Sequence, residues 1–243
     1  MKIKLDILRR KNQNEQPYHQ IIEYEIQDEN TTLAAALTDI NSRSDIKDME
    51  GKPVGKIRWE CSCMQKKCGA CAMVINSVPR LACDTKLSEF QKKGKVTVEP
   101  LRKFPVIADL AVDRSILFEN LKTLKMWFEE ETTVNEQSIE TSYEASRCLQ
   151  CGCCLEVCPN FCADTVFKGM AAIVPASRLI ASLPDVQKKE FFKTYRKNMY
   201  EGCGKSLACR NICPAGINIE KLLVNSNAAA VWKIPPLRKK RRT

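Results

Sequence analysis

CLQCGCCLEVCP, residues 148–159, sets Cys148, Cys151, Cys154 and Cys158 ahead of Pro159 in the order C-x2-C-x2-C-x3-C-P. In two-cluster ferredoxins the first three thiolates of this run hold one cluster and the fourth crosses to the other. A second run is therefore required. GCGKSLACRNICP, residues 202–214, supplies it with Cys203, Cys209 and Cys213 before Pro214, and with Ser206 where a further cysteine would stand. By the crossing rule Cys148, Cys151, Cys154 and Cys213 form a [4Fe-4S] set. Cys158, Cys203 and Cys209 remain, and three thiolates without a fourth suit a [3Fe-4S] cluster. A fourth iron held by serine or water is the alternative, but a serine hydroxyl is a harder and poorer iron ligand than thiolate.

Upstream, CSCMQKKCGAC at residues 61–71 is followed by Cys83. Cys63, Cys68 and Cys71 give C-x4-C-x2-C, the plant-type [2Fe-2S] spacing, with Cys83 arriving from a separate segment. A loop this tight turns backbone N–H groups toward the sulfurs, which offsets the thiolate charge. A zinc site would more often use paired C-x2-C hooks. Cys61 is spare, and Cys153 and Cys162 are expected only to pack. His19, the single histidine, falls on a strand pattern far from the motifs and is expected at the surface.

The patterning between the motifs changes along the chain. Ile3, Leu5 and Ile7, then Ile22, Tyr24 and Ile26, alternate with polar residues as half-buried strands do. Thr31 or Thr32 can cap a helix presenting Leu33, Leu37 and Ile40 on one face. Lys95–Glu99 alternates again. Beyond Pro105, Asp113 can cap a helix carrying Leu117, Leu121, Leu124 and Phe128. Helix-like sequence with Phe191, Phe192 and Tyr195 separates the last two cysteine runs, and no strand pattern stands out there. An α+β chain follows, with a boundary expected between residues 100 and 112. The units are a mixed first domain, residues 1–105, and a mostly helical second, residues 106–243, each with its own cluster ligands.

Fourteen cysteines against one histidine in 243 residues demand a metal or disulfide explanation. MKIKLDILRRKNQNE has no uninterrupted apolar run, so it is not expected to be a secretory signal. In the cytoplasm thiols bind metal rather than pair. The longest apolar stretch, near Met170, is expected to be broken by Pro175 and Arg178, too short to span a bilayer. Net charge is +10, yet basic patches interleaved with aromatics are lacking, so no nucleic-acid partner is expected. The basic run Arg238–Arg242, behind Pro235 and Pro236, reads as a solvated tail.

A plant-type site followed by a bacterial-type pair resembles the iron-sulfur subunits of the succinate dehydrogenase and fumarate reductase family. FPVIADLAVDRS, residues 104–115, is similar to the family's link between its halves. The resemblance implies a β-grasp first domain, an α-helical second, and clusters in line between the FAD of a flavoprotein subunit and a membrane quinone. It further implies a cytochrome b type anchor and a place on the cytoplasmic face of the cell membrane. Ubiquinone-using members carry tryptophan and histidine where this chain has Ala163 and Gly204, so it looks closer to the menaquinone-using type. The family's usual glycine is missing from Met64 to Lys67. The alternative is a subunit of a soluble flavin-dependent reductase serving a thiol or other non-quinone carrier; such proteins often add a cysteine-rich domain with CCG motifs.

Overall fold

The structure, a computed structural model, describes residues 2–129, 131–132 and 136–232. The basic run Arg238–Arg242, with Pro235 and Pro236, lies outside the described residues.

The first half is built on a five-stranded mixed sheet. Strands β1 (Lys2–Arg9), β2 (Tyr18–Glu25), β3 (Ala72–Ile75), β4 (Val78–Leu81) and β5 (Lys95–Glu99) pair in the order β2-β1-β5-β3-β4. Only β1 and β5 run parallel. Ile3, Leu5 and Ile7 point into the core, as their alternation requires, and meet Leu33, Leu37 and Ile40 from helix α1 (Leu33–Ser42). Thr32 caps α1 through the Ala35 amide, whereas Thr31 accepts instead from the amide of Asp28. β3 and β4 form a two-residue hairpin through Asn76 and Ser77, both at positive φ, the backbone that a tight right-twisted hairpin needs.

A second small sheet, β6 (Val106–Ala108) and β7 (Ala111–Val112), follows. It lies past residue 105, where no strand pattern stands out in the sequence of the mostly helical second half. Its Asp109 meets Arg9 in a buried pair, with Arg9 Nε 2.9 Å from Asp109 Oδ1 and Nη2 3.2 Å from Oδ2. The same carboxylate accepts the amides of Arg10 and Arg58. Arg9 also reaches Gln20 Oε1 at 2.6 Å. Residues 106–112 are thus fastened to the first sheet, and the texture changes at the far edge of the expected 100–112 window.

The rest is helical: α2 (Ser115–Thr123), α3 (Glu136–Ser146), the short α4 (Cys153–Glu156), α5 (Met170–Ser182), α6 (Asp185–Tyr195) and α7 (Ile219–Asn227). Asp113 accepts the Ser115 amide at the start of α2. That helix stops at Thr123, because Lys125 turns to positive φ, so Phe128 is not on it. α5 packs on α3 and α7. Pro175 sits inside α5 rather than breaking it. The ring has no N–H and leaves the carbonyl of Ala171, four residues back, without its helical donor. Gln150 replaces that donor, its Nε2 lying 3.0 Å from Ala171 O. Among the described residues no helix is long and apolar enough to cross a membrane.

Candidate iron-sulfur sites

Cys63, Cys68 and Cys71 lie on the loop that leads into β3, and Cys83 lies in the single turn of 3-10 helix after β4. The β3-β4 hairpin brings Cys83 back, with Ala82 N donating to Cys71 O at 3.0 Å. Amides converge on the sulfurs as the loop length requires. Gln65 and Lys67 donate to Cys63 Sγ at 3.3 and 3.2 Å, Lys66 to Cys83 Sγ at 3.4 Å, and Ala70 to Cys68 Sγ at 3.5 Å. The amides of Gln65 and Lys67 draw the Cys63 thiol down to about 7, while burial pushes Cys71 up to about 12. Without the expected glycine, Met64 and Lys66 take the positive φ that turns these amides inward, a conformation that strains residues with a Cβ.

In the helical half, Cys148, Cys151, Cys154 and Cys213 line one cavity, otherwise walled by Met170, Ala171, Val174, Ile217 and Ile219 among others. Cys158, Cys203 and Cys209 line a second, with Phe167, Met170, Ile173 and Ser206. Cys154 and Met170 belong to both walls. Burial pushes Cys148 and Cys209 up to about 11 and Cys154 well above the ordinary thiol range. Thiols held this way release their protons to bind metal, which couples loading to pH. Cys151 is drawn down to about 7, first by the neighbouring Cys153 thiol.

The walls are largely apolar, and the sulfurs line them. Among the described residues, no three His, Cys, Asp or Glu side chains converge closely enough to hold a single metal ion. A multi-iron cluster has the size and the soft thiolate preference that such rings fit.

The three sites adjoin. Gly69, at φ +75, presses its Cα face on the second half, where a Cβ would stand 2.8 Å from both Cys151 Cβ and Leu149 O. Lys103 reaches across as well, donating to the carbonyls of Cys158 and Phe161. Of the spare cysteines, Cys153 is buried, but Cys61 and Cys162 are exposed, which corrects the expectation that Cys162 packs. His19 is exposed, as expected, and its Nδ1 lies 2.7 Å from Asp6 Oδ1. Gln150 escaped the sequence reading. Its Nε2 lies 3.3 Å from Cys148 Sγ while also serving Ala171 O. Only its place inside C-x2-C was visible in the sequence, and the carbonyl freed by Pro175 shows only in three dimensions.

A sheet domain carrying one thiolate loop, joined to a helical domain with two thiol-lined cavities, defines a multicentre iron-sulfur electron carrier. Residues 4–119 match the family described as "2Fe-2S iron-sulfur cluster binding domain", and residues 144–217 match "4Fe-4S dicluster domain". The succinate dehydrogenase iron-sulfur subunit of Bacillus subtilis (strain 168) is 33% identical over 202 residues, 77% of each chain. The fumarate reductase iron-sulfur subunit of Escherichia coli O157:H7 is 33% identical over 170 residues, 66% of this chain and 68% of that one. A chain of the Mycobacterium smegmatis Sdh1 complex superposes with a TM-score of 0.74 over 97% of this chain and 98% of that one, at 23% identity, and shares the fold. The chain belongs to the family of succinate dehydrogenase and fumarate reductase iron-sulfur subunits, and it is an oxidoreductase subunit that relays electrons.

Proposed function

We propose that eleven cysteines of this chain hold three clusters in series. Cys63, Cys68, Cys71 and Cys83 hold a [2Fe-2S] cluster; Cys148, Cys151, Cys154 and Cys213 a [4Fe-4S] cluster; and Cys158, Cys203 and Cys209 a [3Fe-4S] cluster. Bound there, the clusters supply one-electron carriage between a two-electron flavin and a quinone. The residues do the rest. The amides of Gln65, Lys66 and Lys67 stabilise thiolate charge, Ile217 and Ile219 keep water from the middle site, and Gly69 lets the first loop approach the second site.

The partners are an FAD-binding flavoprotein subunit and a cytochrome b type membrane anchor. The chain works at the cytoplasmic face of the membrane, passing electrons to or from a quinone, menaquinone by preference. Gly204 supports that preference. It stands where ubiquinone-using relatives carry a histidine, so that side chain's contact with a quinone is missing here. Residues 1 to about 112 and the remainder are the two folding units.

One observation carries the reading: two adjoining cavities ringed by seven thiols share Cys154, and the loop of the first site touches Cys151. The complex purified in detergent should contain about nine irons per chain, the sum of two, four and three. Succinate should reduce its clusters. Zinc in place of iron would sink the cluster assignment, and clusters that succinate leaves oxidised would favour the alternative reductase.

A further inference from the structure

Arg114 lies at the junction of the two halves, immediately before α2, with its side chain only 13% exposed. Its fork points back into the first thiolate loop. Nη1 donates to Gly69 O at 2.9 Å and Nη2 to Ala70 O at 2.7 Å, and Nη2 also pairs with Glu60. Those two carbonyls belong to the residues between Cys68 and Cys71. On its other side, Gly69 presses on Cys151 and Leu149. Cys68, Arg114, Leu149 and Gln150 line one groove. One guanidinium therefore holds the segment where the two thiolate sets come closest.

We propose that Arg114 is a positioning residue for electron passage between the first two sites, clamping the Cys68–Cys71 loop against Cys151 and placing a positive charge beside both thiolate sets. The inference rests on the cluster assignments proposed above. Two physical effects follow. The clamp fixes the separation of the sites, and tunnelling falls exponentially with separation. The charge favours the reduced, more negative form of whatever metal centre the thiolates hold, because net charge sets such potentials. In the transfer itself one electron leaves the first site and arrives at the second. One is oxidised and the other reduced by a single equivalent, and no bond or proton moves. Arginine is suited to this, since it keeps its proton at any working pH and its planar fork fits two adjacent carbonyls.

Glu60 gives the proposal a second handle. Its side chain is 46% exposed and partly neutralises the guanidinium. Removing the arginine and removing its counter-charge should move the potential in opposite directions, which a purely structural role would not do.

The test is an EPR-monitored redox titration of the assembled complex, comparing wild type with Arg114→Gln and Glu60→Gln. In wild type, two-iron and four-iron signals should be present and broadened by each other when both are reduced. Their absence overturns the cluster assignments before any variant is considered. With them present, Arg114→Gln should shift the four-iron midpoint to a more negative value and weaken the mutual broadening. Glu60→Gln should shift that midpoint to a less negative value. Midpoints unchanged in both variants overturn the role of Arg114. If Arg114→Gln does not load its clusters, Glu60→Gln decides alone, and an unchanged midpoint there overturns the proposal.

Discussion

Ser206 stands in the wall of the second cavity with Cys203 and Cys209. Ser206→Cys restores C-x2-C-x2-C-x3-C-P in the last run, and its thiolate should complete a four-iron cluster. In EPR of the oxidised complex, the variant should lose the three-iron signal of the wild type and gain a second four-iron signal on reduction. A wild type lacking the three-iron signal at full iron loading would mean that Ser206 or another group ligates a fourth iron, and would overturn the three-iron assignment. At this scale the grouping of the cysteines was legible: the sets read from spacing line the same cavity walls, because a cluster site draws several thiols from one short run. The residues that orient them were not. Gln150, in the loop between α3 and α4, faces Cys148 while serving the carbonyl that Pro175 frees on α5. Arg114 and Gly69 meet only when the halves dock.

The β6-β7 hairpin is the element that sequence patterning missed. Each strand is too short to show alternation, and a buried Arg9–Asp109 pair fastens it alongside the buried Leu110 and Val112. Asp109→Ala would leave the Arg9 guanidinium buried without its partner, at a cost of about 3–5 kcal/mol. Urea denaturation of the loaded protein should show that loss as a lower midpoint. Strand β1 carries a second such device. Burial tends to raise the Asp6 carboxyl, but hydrogen bonds from Lys95 and His19 outweigh it and hold it below the usual carboxylate range. A depressed carboxyl stabilises the fold above its unfolded pKa, near 3.9. That contribution is lost as pH falls through the lower, folded value. The stability difference between wild type and Asp6→Asn should therefore be present at about pH 5 and shrink below about pH 4, as read from paired denaturation curves. β1, β2, β5 and α1 were visible in periodicity; the β3-β4 hairpin was not, since Asn76-Ser77 carries no glycine to mark its turn.

Across the whole molecule the first unit needs the hairpin beyond its sheet. A fragment of residues 1–119 should fold and give a [2Fe-2S] absorption spectrum after reconstitution, whereas residues 1–105 lack Asp109 and should load less and melt lower. Equal melting of the two would place the boundary back at 105. The helical unit is laced differently. The wall holding Cys148, Cys151 and Cys154 is completed by Cys213, while Cys158, from the earlier run, faces Cys203 and Cys209. On the ribosome this crossing imposes an order. Every thiol of the middle run emerges before either ring can close, and the middle site must wait for the last cysteine of all. A chain stalled between Cys209 and Cys213 would already own the three thiols of the last ring but not the fourth of the middle one, leaving Cys148, Cys151 and Cys154 open to scavenging metals.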